Sequence, residues 1–185
     1  MVNGNVAEND FFILEIDNFG RIVRLYDKKN SREVFVPNEY ANEFRFYEDI
    51  PRDYDNWEIS ETYKSKYISL SNTAEIEIVD NGCRKGFKVS HKYHDSTIEQ
   101  FIYLYDSIPR VDVENEIDWH EHKQLVKLMF PFNVFATKAT YDIQFGNIER
   151  NTHNNTSWDT AKFEVCGHKW VDISDFSYGV SLIND

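Results

Sequence analysis

Apolar and polar residues alternate with a period of two through most of this chain, and that limits its fold more than any other feature. Phe12, Leu14 and Ile16 alternate with Ile13, Glu15 and Asp17; Phe44 and Phe46 sit among charged neighbours; Ile76 and Ile78 are followed by Phe87, Val89, His91 and Tyr93. Side chains two apart share one face of a strand, so each of these runs predicts a half-buried β-strand. Turn chemistry separates them. Asn18-Phe-Gly20 predicts a hairpin into Ile22–Tyr26, and Asn81-Gly82 predicts another. A further turn near His94–Ser96 leads into Ile98–Tyr105, and Pro109 into Val111, Val113, Asn115, Ile117 and Trp119. Leu125–Phe132 is an apolar run broken by Lys127 alone, which reads as a strand buried on both faces. No window carries a 3.6-residue apolar stripe. The expectation is an all-β antiparallel sandwich with little or no helix.

The 185 residues suit one domain, 1–185, with a sizeable core. Aromatic residues are abundant (14 Phe, 11 Tyr, 4 Trp) while Gly (7) and Pro (4) are scarce, which favours packed strands over disorder. A formal net charge of −12 argues against nucleic acid and anionic membranes as partners, and leaves neutral ligands such as sugars compatible. Cys83 and Cys166 form no CxxC pair, so no zinc or redox motif is visible. The first ten residues lack the features of a signal peptide, and no apolar run approaches the roughly 20 residues of a membrane span. A cytoplasmic location is expected, with the sequons at Asn154 and Asn155 unglycosylated. Tyr178–Ile183 reads as a strand lying almost flush with Asp185, as expected of a piece of a longer polypeptide.

Two stretches break the regular pattern. The run from Arg150 to Val165 is almost wholly polar in its first ten residues, apart from Trp158, and lies between strand-like Ala139–Phe145 and Lys162–Val165. Long polar connections on a rigid scaffold often carry function, although a solvated loop has the same composition. Arg150, His153, Asn154, Asn155, Trp158 and Asp159 have the chemistry for polyhydroxyl recognition: Arg150 as a fork for carboxylates, Asp159 as either ligand or local backbone cap. The second stretch is Tyr47–Tyr63, whose segment Tyr47–Glu58 holds five carboxylates and three aromatic rings, including Asp55 and Trp57. Carboxylates beside a stacking ring suit a carbohydrate site, and an acidic loop docking on a neighbouring domain fits as well. His120-Glu-His122 offers two metal ligands without a third fixed by spacing, and reads best as a solvated strand end.

Several segments together carry a resemblance: Leu25-Tyr-Asp-Lys28, Phe46–Trp57, Ile117-Asp-Trp-His-Glu121, Phe145-Gly-Asn-Ile-Glu-Arg-Asn-Thr-His-Asn-Asn-Thr-Ser-Trp-Asp159, Ala161-Lys-Phe-Glu-Val165, His168-Lys-Trp170 and Tyr178–Asp185. In this order the chain resembles the β-domain that follows the catalytic domain in glycoside hydrolase family 38, the α-mannosidases, in their bacterial and fungal cytosolic or vacuolar type. Asn151 stands where the family often has Pro. The resemblance implies a supersandwich of the galactose-mutarotase-like class and a parent enzyme that cleaves α-mannosides by a retaining mechanism. It also implies that the zinc ion, the nucleophile and the acid/base belong to a preceding catalytic domain, so no catalytic or metal-ligating residue is assigned here. The expected partners are that catalytic domain, within the same polypeptide, and the α-mannoside. Arg150, His153, Asn155, Trp158, Asp159, Asp55 and Trp57 are the candidates for sugar contact or for the domain interface. A free-standing carbohydrate-binding module and a mutarotase-like enzyme complete in itself are the alternatives.

Overall fold

The computed structural model describes residues 1–54, 57–70 and 72–184. Its strands are antiparallel throughout, and the chain divides into two compact units, Met1–Pro131 and Phe132–Asp185. The expected all-β antiparallel sandwich class is what forms, with one 3-10 turn at Tyr63–Ser65 and one short α-helix among the described residues.

In the first unit, β1 (Val2–Asn3), β2 (Val6–Glu8), β3 (Phe12–Ile16), β4 (Ile22–Asp27) and β5 (Arg32–Glu33) form a five-stranded meander. β6 (Glu43–Glu48) lies between β7 (Tyr67–Ser69) and the later β12 (Gln124–Met129). β8 (Glu75–Asp80), β9 (Arg84–Tyr93), β10 (Ser96–Tyr105) and β11 (Val111–Asp118) make a second meander. All three sequence-predicted turns are present: Gly20 and Gly82 adopt positive φ, and Tyr93 pairs with Ser96 across a two-residue loop. Every residue of β12 is only half-buried, so the apolar run at Leu125 does not mark a strand covered on both faces.

Burial follows the alternation. Phe87 and Val89 of β9 and Ile98, Gln100 and Ile102 of β10 are sealed from solvent. Phe44, Phe46, Tyr93 and Ile98 form a cluster, in which the Phe46 and Tyr93 rings stack at 3.9 Å and Trp119 lies nearly parallel to both. Packing is tight enough to dictate two glycines. A Cβ at Gly86 would fall 1.8 Å from the Ile102 carbonyl oxygen, and one at Gly20 would meet Val89 Cγ1 at 2.3 Å. The buried amides form a chain of hydrogen bonds: Asn42 donates to the Gly20 carbonyl and to Gln100, and Gln100 donates to Asn115, while the buried Asn42 Oδ1 has no partner among the described residues.

In the second unit, β13 (Lys138–Ile143), β14 (Gly146–Asn151), β15 (Trp170–Ser174) and β16 (Gly179–Ile183) form a sheet in the order β14-β13-β15-β16. The register puts Tyr141 opposite both Ile148 and Val171, and Val171 opposite Leu182, so one face is apolar. The other face is polar: Lys138 pairs with Glu149, and Asp172 accepts from Ser174 and Ser181. The helix α1 (Ser157–Ala161) follows β14. Lys162–Val165, expected as a strand, is irregular: Lys162 leaves the helix at φ −95 and ψ 49 and no partner strand receives the segment.

Candidate functional site

The polar run opens on β14 and is tied down where that strand ends. The Thr152 backbone N–H donates to the Thr137 carbonyl at 3.1 Å, and its hydroxyl to the Ala136 carbonyl at 2.5 Å. Five residues later α1 begins, and its start explains much of the polarity. Thr156 is the N-cap: its Oγ1 accepts from the Asp159 N–H at 3.1 Å, while Asp159 Oδ2 accepts from the Thr156 N–H at 3.2 Å and hydroxyl at 2.7 Å. This reciprocal pairing satisfies two donors that a helix start leaves open. Asn151 Nδ2 donates to the other Asp159 oxygen at 2.8 Å, so the carboxylate ties the end of β14 to the first turn of α1.

Asp159 is 9% exposed and fully engaged. The Thr156 hydroxyl first, then the Asn151 amide and the nearby His153, hold its carboxyl below the ordinary carboxylate range. His153 Nδ1 lies 3.6 Å from Asp159 Oδ2 and accepts from the Asn155 N–H at 3.4 Å when the ring is neutral. The structure therefore brings His153, Asn155 and Asp159 together with Asn151 and Thr156. The capping pattern Thr156-x-x-Asp159 was legible in the sequence; the role of Asn151 was not, because it lies eight residues away.

The other candidates are placed differently. Arg150 lies on β14, where its Nη2 donates to the Cys166 carbonyl at 3.0 Å and its guanidinium sits 5.6 Å from the Tyr141 ring centre. Its Nε is buried with no hydrogen-bond partner among the described residues, an unused donor of a kind proteins rarely leave. Trp158 projects from α1 and is 78% exposed. Trp57 belongs to the first unit, is 92% exposed, and its N–H donates to the Tyr54 carbonyl. Asp55 lies outside the described residues. His120 Nε2 sits 2.9 Å from Asp118 just past β11, and among the described residues no three His, Cys, Asp or Glu side chains converge as metal ligands.

An open depression of about 460 Å³ and a water-sized cavity lie in the first unit, and neither takes a residue from the Arg150–Asp159 run. That run thus offers an open surface that starts at Arg150 and carries a satisfied Asp159 and a projecting indole. Such a surface can contribute one side of a site.

Comparison with known proteins is consistent with that geometry. The family described as "Glycosyl hydrolases family 38 C-terminal domain" matches residues 7–185. The chain is 31% identical to human alpha-mannosidase 2C1 over 99% of its own length and 18% of that protein's. It is 35% identical to alpha-mannosidase G of Dictyostelium discoideum, over 97% of the chain and 17% of the relative. It therefore spans less than one-fifth of these relatives. A crystal structure of an alpha-mannosidase from Enterococcus faecalis superposes with a TM-score of 0.78 over 97% of this chain and 23% of that one, at 14% identity, which shows a shared fold.

Proposed function

The chain belongs to the glycosyl hydrolases of family 38, as their C-terminal domain, and from that premise we propose that it is the non-catalytic β-domain of a retaining, zinc-dependent, cytoplasmic α-mannosidase. The observation that carries the reading is the match across 7–185, which runs through both units of a chain less than one-fifth as long as its mannosidase relatives. The domain supports the catalytic portion of its parent, and the Arg150–Trp158 surface lines one side of the mannoside cleft. Arg150, at the end of β14, is the residue whose removal tests that surface. In this reading the zinc belongs to the parent's catalytic domain.

The test is hydrolysis of an α-mannoside by the full-length parent, with and without a chelator, and with Arg150→Ala and Asp159→Ala. Activity lost to the chelator and lowered by Arg150→Ala supports the reading. Unchanged kinetics and unchanged stability in both variants would remove the cleft-lining role. A carbohydrate-binding module is the second reading, favoured by Tyr54 and Trp57, both more than three-quarters exposed. Mannose binding by the 185 residues alone, without hydrolysis by the parent, would select it.

A further inference from the structure

The second unit has too little interior for its sheet. Of its described residues, Ala139 is the one buried apolar side chain, and Ile143, Val171, Ile173, Val180 and Leu182 are all left partly open. Large rings face fully outward instead: Phe135 at 91%, Trp158 at 78% and Phe176 at 104% exposure.

Strand register shows that these three rings share a place. Lys138 pairs with Asn151 and Ser174 with Gly179, so β13 starts, β14 ends, β15 ends and β16 starts at one end of the sheet. Phe135 precedes β13 by three residues, and the chain there is held by Thr152 through the Ala136 and Thr137 carbonyls. Trp158 sits on α1, which Asn151 ties to that end through Asp159. Phe176 lies in the turn between β15 and β16. Phe145, also outward, occupies the turn between β13 and β14 at the opposite end.

We propose that the sheet end carrying Phe135, Trp158 and Phe176 is the docking surface for the remainder of the parent polypeptide. This rests on the reading above that the chain is one domain of a larger α-mannosidase. The occupant is argued from length and charge. The matched stretch is 18% of human alpha-mannosidase 2C1, which leaves about 82% of that relative outside it and ample polypeptide to cover an exposed aromatic face. A second copy of this chain is disfavoured, because each copy carries −12 and the copies repel. Three exposed rings at one sheet end suit an apolar protein surface.

Hydroxyl-radical footprinting of the intact parent, with the urea-unfolded parent as reference, tests this. The expected result is loss of oxidation at Phe135, Trp158 and Phe176 in the native protein. Oxidation at the unfolded rate overturns the proposal. So does protection that disappears when the parent is diluted to monomers, which would assign the surface to a second copy. Protection that appears only on adding an α-mannoside also overturns it and assigns the surface to sugar. Hydrolysis measured on the same samples separates the two readings. Protected rings in an inactive parent keep the docking surface and remove the mannosidase assignment; freely oxidised rings in an active parent do the reverse.

Discussion

In Met1–Pro131 the side chains removed from solvent are large and apolar, Phe87, Leu14, Ile16, Ile22, Ile98 and Ile102 among them, whereas in Phe132–Asp185 they are Ala139 and Asp159. Both units are antiparallel sheets with period-two strands. The first is held by burial of hydrocarbon; the second leans on hydrogen bonds and a helix cap, with its apolar face only partly covered. Alternation of side chains thus says which face a residue takes, and nothing about whether that face finds a partner.

The most forceful way to break this comparison is to empty each interior. Phe87→Ala removes a ring with no exposure and should cost about 3–5 kcal/mol, enough to unfold a marginal domain. Ile173→Ala, from the half-covered face of β15, should cost about 1 kcal/mol. Equal losses in urea denaturation of the two variants would mean that the second unit has an interior as dense as the first.

Glycine substitutions sharpen the contrast at the backbone. Gly86→Ala drives a Cβ into the Ile102 carbonyl, fixed backbone that cannot swing away, and should destabilise by about 1–3 kcal/mol. Gly146→Ala in the second unit meets open space and should stay within about 0.5 kcal/mol of the parent sequence. Thermal midpoints of the two variants give the comparison directly; a large drop for Gly146→Ala would show that β14 is covered.

How far the sequence revealed this can be judged residue by residue. The turns at Gly20, Asn81-Gly82 and His94 were legible because their chemistry is local, and so were the inward faces of Phe87, Val89, His91 and Tyr93 on β9. The helix α1 was missed because five residues are too few to display a 3.6 period, although its Thr156-x-x-Asp159 cap was in plain sight. Lys162–Val165 was misread because Phe163 and Val165 alternate like a strand, while strand formation also needs a neighbour to accept its hydrogen bonds. Of the candidate site, the chemistry of Arg150 and Asp159 was readable. Their division of labour was not: whether a carboxylate is spent on a cap depends on Thr156 and on Asn151 across the turn.

A smaller effect tests that cap. Thr156→Ala removes the hydroxyl that both accepts from the Asp159 N–H and donates to its carboxylate, and should cost about 1 kcal/mol. The loss should be local, seen as faster amide exchange at Asp159–Lys162 with β9 and β10 unchanged. Thr156→Ser should restore most of it. Faster exchange through the first unit would show that the cap stabilises more than its own turn.

The pH dependence of stability separates the units most finely. Burial holds the His91 imidazole below its ordinary value of 6.5, with the charge of Asp17 opposing it in part. The unfolded chain therefore binds a proton that the folded chain refuses, and stability falls as pH drops below about 6.5 until the folded-state value is passed. Asp159 is shifted downward from 3.8 by the Thr156 hydroxyl and Asn151, so its contribution is intact above that value and is lost as pH falls through the lower folded-state value. Glu121, held below 4.5 by the Ser96 hydroxyl, likewise matters only in acid and leaves the His91 window clear. Urea titrations should show stability falling as pH drops below about 6.5, a slope that His91→Gln flattens and Asp159→Asn leaves alone. Amide exchange in the same window should rise around β9 before it rises in α1. If α1 opens first, the cap is weaker than its four hydrogen bonds suggest, and the contrast between a core-held unit and a cap-held one does not survive.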